Sequence, residues 1–134
     1  MKKLLSLMGC TLLCFALAGC DGYVKGDPSA TCKLSRSNTK QDVLFYSDGD
    51  EIKSVEYITI GTNETEAAAK LAAKTSQAMI DNYIEEYDAQ NAYVEVDGLD
   101  VKIAFEIDAS KARLNSTSMK DVMAEFETQG YVCD

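Results

Sequence analysis

The residues with the most distinctive chemistry in this chain are five cysteines, at positions 10, 14, 20, 32 and 133, in a sequence of 134 residues that contains no histidine. A cysteine sulfur can act as a nucleophile, bind a soft metal, take an acyl chain or oxidise to a disulfide. The first role needs a base. Without an imidazole, every Ser-His-Asp or Cys-His relay is excluded within the chain, as are His-bearing zinc sites and histidine pH switches. Ser37-Asn38-Thr39-Lys40 has the Ser-x-x-Lys spacing in which lysine activates serine, but no Lys-Thr-Gly or Ser-Asp-Asn triplet accompanies it, and it reads as a chance match. Asp48-Gly49-Asp50-Glu51 offers oxygen ligands without the register of an EF-hand loop, so it reads as a hairpin turn. Glu85, Glu86 and Asp88 end a helical pattern, where the macrodipole favours cations. They are the candidate contacts for a cationic partner, against the plainer reading of a solvated, fraying helix end. Paired carboxylates for glycoside hydrolysis are available, but no spacing singles out a pair. No catalytic residue, metal ligand or cofactor is therefore expected.

Residues 1–19 set the context of Cys20. Lys2 and Lys3 precede an apolar run, Leu4 to Ala18, broken only by Ser6, Gly9 and Thr11. The run suits a signal h-region of roughly 7 to 15 residues and falls short of the about 20 that a spanning helix needs. It leads into Leu17-Ala18-Gly19-Cys20, which matches the lipobox of bacterial lipoproteins. That resemblance implies cleavage between Gly19 and Cys20, a diacylglycerol on the Cys20 sulfur, and often an acyl chain such as palmitate on the new amino group. Two or more acyl chains hold a small domain on a bilayer stably, at about 0.8 kcal/mol per buried methylene. The alternatives are an ordinary cleaved signal peptide and a buried first helix that happens to end in cysteine. The mature chain is thus expected on the extracytoplasmic side of a bacterial envelope, anchored to a membrane and not spanning it. Asp21 directly after Cys20 resembles the inner-membrane retention signal of enterobacterial lipoproteins, which places the domain in the periplasm of a Gram-negative host.

Acidic residues outnumber basic ones 22 to 13, a formal charge of −9, and loss of Lys2 and Lys3 leaves 11 basic against 22 acidic, or −11. Such a field repels nucleic acid and anionic lipid, and it steers cationic partners. The expected partner is an envelope protein, peptide or glycan beside the membrane, with nucleic acid excluded. Once Cys10 and Cys14 leave with the signal segment and Cys20 is acylated, Cys32 and Cys133 permit one disulfide. A closed loop of about 100 residues is worth up to about 4.7 kcal/mol in the chain-entropy model. The alternative is two free thiols.

The elements that must carry these residues follow from periodicity. Residues 20–30 are polar, contain two glycines and the only proline, and read as a tether reaching at most about 35 Å. Cys32, Leu34 and Arg36 alternate as a weak strand, Val43 to Tyr46 is stronger, Ser47 to Asp50 is a turn, and Ile52 to Ile60 is a third strand. Asn63 is placed to cap a helix together with Glu66, and the helix runs to about Asp88 with Ala68, Leu71, Ala72, Thr75, Met79 and Tyr83 facing the sheet. Asp97-Gly98 suits the turn of a hairpin within Ala92 to Ile107, with Leu99, Val101, Ile103, Phe105 and Ile107 alternating inward. A second helix starts near Ser116 to Ser118, buries Met119, Val122, Met123 and Phe126, and stops at Gly130 before a short tail. Tyr46, Tyr57, Tyr83, Tyr87 and Tyr93 could line a groove for sugar or peptide, a mixed core and surface role being the plainer reading. The order of meander, helix, hairpin and helix predicts one α+β domain over 31–134, an antiparallel sheet with both helices packed on one face.

Gly61 to Lys70, Val101 to Asp108, and Thr117 to Met123 followed by Gly130-Tyr131, taken with the element order, resemble the YehR-like family of small bacterial lipoproteins. These are fold patterns, and Cys32 and Cys133 depart from that family. The resemblance implies a lipid-anchored α+β domain and assigns no activity. Three readings of function remain. The favoured one, given that no nucleophile relay exists, is a non-catalytic envelope lipoprotein that binds a protein, peptide or glycan. The others are a small carboxylate-dependent hydrolase of cell-wall glycan and an acidic inhibitor of a cationic envelope-active protein.

Overall fold

The computed structural model describes residues 26–134; residues 1–25, which hold the expected signal segment, Cys10, Cys14, the expected anchor Cys20 and the first part of the expected tether, lie outside the described residues. Strands β1 (Ala30–Arg36), β2 (Thr39–Asp48) and β3 (Glu51–Thr62) form a meander, followed by α1 (Glu66–Tyr87). A hairpin of β4 (Gln90–Asp97) and β5 (Asp100–Asp108) then leads to α2 (Met119–Thr128) and the short β6 (Val132–Cys133). The six strands lie in the order β4-β5-β3-β2-β1-β6, every pair antiparallel. This is the α+β architecture that the order of patterns predicts, with the tail adding the sixth strand. The sheet also takes up the end of the tether: Ala30 opens β1, and the Ser29 N–H donates to the Phe45 carbonyl at 2.8 Å.

Two tight turns depend on glycine. Gly49 and Gly98 each sit at the first of two loop positions with φ 62°, a conformation that costs glycine no Cβ clash. Asp97 pairs with Asp100, so the second loop is Gly98-Leu99 and not Asp97-Gly98. Leu99, expected as the first inward residue of β5, is instead an exposed turn residue.

Residues paired across an antiparallel sheet share a face. One row runs Cys32, Val43, Tyr57, Phe105, and the next runs Ala30, Phe45, Val55, Ile107. Both helices cover this face: the Phe126 ring of α2 meets Phe45 edge-on at 5.3 Å, and Tyr83 of α1 meets Phe105 at 5.0 Å. The main core lies beneath α2, where Met119 and Val122 join Cys32, Val43, Phe45, Ile52 and Val55. A disulfide between Cys32 and Cys133 ties β1 to β6 across 101 residues.

α2 follows its predicted pattern, with Met119 and Val122 buried, Met123 and Phe126 half-buried, and Gly130 at φ 100° just past its end. α1 departs from its pattern in two ways. Its cap is Thr65, whose hydroxyl accepts the Ala68 N–H at 3.0 Å. Asn63 is held elsewhere, donating through Nδ2 at 3.2 Å and through its backbone at 2.8 Å to the Leu99 carbonyl, so the helix cannot begin there. The buried stripe is also shifted toward the neighbouring residues. Ala72, Met79 and Tyr83 are half-buried as the pattern predicts, but the fully buried residues are Ala69 and Ile80, with Ala73, Ser76 and Tyr87 half-buried, while Ala68 and Thr75 are exposed and Leu71 is 67% exposed. Alanine on every side of the helix leaves too few bulky residues to set its phase from sequence.

Candidate binding cleft

α1 lies over β4 and β5, α2 lies over β1 and β6, and between them the inner sheet face opens into a cleft of about 390 Å³. Tyr57 and Phe105, directly paired on β3 and β5, form its floor, their rings stacked at 5.1 Å with 23° between planes. Tyr83 and Tyr87, four residues apart and therefore on one face of α1, form a wall with ring centroids 5.7 Å apart. Lys111, Ala112 and Arg113, in the segment joining β5 to α2, line the third side, and Gln41 of β2 lies at the far end.

The polar groups divide between two ends. At one, the Tyr131 hydroxyl donates to Gln41 Oε1 at 2.8 Å. Burial pushes the Tyr57 hydroxyl above its ordinary pKa, and Tyr131 adds to the effect. Burial likewise raises Tyr131, against an opposing pull from Arg36. Both are therefore neutral hydroxyls at physiological pH, suited to hydrogen bonding and not activated as nucleophiles. At the other end, the Lys111 ammonium holds Asp88 Oδ2 at 3.2 Å, and the Arg113 guanidinium lies 5.7 Å from the Tyr87 ring centroid, within cation–π reach. Arg113 has no ion-pair partner among the described residues. Stacking, hydrogen bonding and pairing with an anion are what this arrangement can do.

The structure thus gathers three of the five candidate groove tyrosines. Tyr46 and Tyr93 belong to the opposite sheet face, where Tyr46 donates to Glu56 Oε1 at 2.9 Å and Lys102 lies 5.7 Å from the Tyr93 ring centroid. Of the three carboxylates proposed for a cationic partner, Glu85 and Glu86 are exposed on the last turn of α1. Asp88 has a different part: it is the left-handed C-cap, at φ 54°, and the partner of Lys111. On the opposite sheet face Glu56 and Glu106 pair directly across β3 and β5. Glu106 is buried and accepts from Ser54 Oγ at 3.4 Å and Asn91 Nδ2 at 3.3 Å.

The Asp48 to Glu51 segment is the β2–β3 turn, and Asp50 has a structural role there. Its carboxylate accepts the Ser118 hydroxyl at 2.5 Å and the Lys120 N–H at 3.2 Å, which caps α2 in place of the Ser118 side chain. These bonds, Ser118 first, hold its carboxyl below the usual aspartate range. A second hollow of about 440 Å³, bounded by Glu51, Lys53, Asp108 and Ser110, is a weaker candidate because its polar groups are already engaged. Lys53 pairs with Glu51 at 3.4 Å, and Asp108 accepts from the Ser110 hydroxyl at 2.7 Å and N–H at 2.9 Å. Sequence reasoning did not find Arg113, because the segment between β5 and α2 has no periodicity. Phe105 was legible only as an inward strand residue.

No family model matches this sequence, and no curated protein matches it. Among solved structures, the NMR structure of Escherichia coli YehR superposes with a TM-score of 0.66 over 83% of this chain and 93% of that one, at 12% sequence identity. The NMR structure of a protein from Streptococcus pneumoniae TIGR4 covers 84% of this chain and 88% of its own, at 8% identity and a TM-score of 0.49. The likeness to YehR establishes the fold: this chain has the YehR-like architecture that its local patterns imply.

Proposed function

We propose that this YehR-like domain is a non-catalytic binding module, held by a lipid anchor on Cys20 at the extracytoplasmic face of a bacterial membrane, and that the cleft between α1 and α2 receives its partner. The observation that carries this reading is the cleft itself. Four aromatic rings from three elements converge on about 390 Å³, inside the usual range of ligand sites, with neutral hydroxyls at one end and cations at the other. The anchor is supported by the order of basic start, apolar run and Leu17-Ala18-Gly19-Cys20. The Cys32–Cys133 disulfide fits an oxidising compartment. Glu85 and Glu86, exposed next to the cleft tyrosines in sequence, add a negative field that steers a cationic partner within a Debye length of about 8 Å at physiological salt.

One observation favours the hydrolase reading: the directly opposed Glu56 and Glu106. Capture of envelope components on the lipidated protein in detergent separates the two. Tyr83→Ala should reduce capture at least tenfold while leaving the fold intact by circular dichroism, and Cys20→Ser should move the protein from the membrane to the soluble fraction. Turnover of a cell-wall glycan by the purified protein, lost in Glu106→Gln, would overturn the non-catalytic reading.

A further inference from the structure

Its place in the cleft makes Arg113 conspicuous. Only Lys53 and Lys111 hold ion pairs among the described residues, so most cations here are unpaired, but of the two basic residues that line the cleft Arg113 is the one without a carboxylate partner. It stands at the cleft wall with its guanidinium over the Tyr87 ring. A guanidinium so placed, without an ion-pair partner among the described residues, can receive a carboxylate through two parallel hydrogen bonds. Lys111 does not compete for the same role, since it already holds Asp88, and the pair is electrically neutral to a first approximation. An aromatic floor with one uncompensated guanidinium beside it matches an apolar side chain that carries a carboxylate a few bonds away.

The opposite end of the cleft extends the match. Gln41 Oε1 is occupied by the Tyr131 hydroxyl, which turns the amide N–H₂ of Gln41 to other acceptors, and Tyr57 adds a neutral hydroxyl. A peptide group one residue back from the carboxylate supplies what those groups bind. We infer that the cleft takes the C-terminal residue of a peptide or protein, an apolar and preferably aromatic residue whose free α-carboxylate is received by Arg113 and whose side chain stacks on Tyr57, Phe105 and Tyr83. This inference rests on the cleft being the binding site. It adds that the partner enters by its chain end.

The test is a titration of the lipidated protein in detergent, followed by NMR shifts of the cleft residues, with acetyl-Leu-Phe as the free acid, the same dipeptide as its C-terminal amide, and 3-phenylpropionate. The free acid should shift Tyr57, Phe105 and Arg113 and bind more tightly than the amide by on the order of 10- to 100-fold, the worth of a charged hydrogen-bond pair. Arg113→Gln should bring the acid down to the amide, whereas Lys70→Gln, which removes the same charge from the outer face of α1, should leave the ratio unchanged. Equal binding of acid and amide would overturn the carboxylate role and leave the cleft as a site. Equal binding of 3-phenylpropionate and the dipeptide acid would overturn the chain-end assignment. Absence of cleft shifts with all three at millimolar concentration would overturn this inference. Loss of capture by Tyr83→Ala in that event would still uphold the cleft reading.

Discussion

α2 has 10 residues and α1 has 22, yet each buries only two side chains: Met119 and Val122 in the shorter, Ala69 and Ile80 in the longer. The shorter helix is secured from several directions. Phe126 meets Phe45, Tyr131 packs on Phe126 at 4.9 Å, Asp50 caps its first turn from the β2–β3 turn, and the disulfide fastens the strand that follows it. The longer helix rests on small residues and on the edge of a few rings, and it leaves Leu71 and Ile84 exposed. One half of the molecule is a foundation and the other is a wall placed against it. The cleft lies where they meet, with its floor on the sheet and its tyrosine wall on the helix that buries the fewer bulky side chains.

That contrast can be broken most directly in the core. Phe45→Ala removes the ring shared by sheet and α2 and should cost about 3–5 kcal/mol, read from the urea midpoint at unchanged slope. Cys133→Ser should cost about 2–4 kcal/mol. Hydrogen exchange should then accelerate in β6 and α2 while α1 keeps its protection, and acceleration along α1 as well would show that the halves unfold together. Ile80→Ala, the corresponding truncation under α1, should cost nearer to about 2 kcal/mol; a loss equal to that of Phe45→Ala would remove the asymmetry.

Asp50 sharpens the comparison through pH. Its carboxyl is depressed in the folded state, so it adds stability fully above its unfolded-state pKa, and that contribution is lost as pH falls through the folded value. Asp50→Asn should therefore be less stable than the parent at neutral pH, with the two denaturation curves converging in acid. A constant difference at every pH would mean that the charge has no part in holding α2. The smallest effect belongs to the outer face of α1: Leu71→Gln should change stability by no more than about 0.5 kcal/mol, where a buried leucine would cost several times that.

Much of this architecture follows from short-range patterns. Alternation in Val101 to Ile107, glycine at the two hairpin turns, and the Met119, Val122, Met123, Phe126 spacing ended by Gly130 each depend on residues a few positions apart, where backbone sterics and helix period decide alone. The Cys32–Cys133 pair is expected from the reading that assigns Cys10, Cys14 and Cys20 elsewhere, and the structure shows that bridge. The phase of α1 was only partly legible in its alanines, and Thr65 takes the cap while a hairpin loop holds Asn63. Asp50 caps a helix 70 residues further on, and Tyr57, Tyr83, Phe105 and Arg113 meet from a strand, a helix, another strand and an irregular segment. Local sequence determines which elements form and which faces are apolar. Only packing decides which distant side chains those elements bring together, since the contacts that define the cleft exist only once both helices have settled on the same face of the sheet.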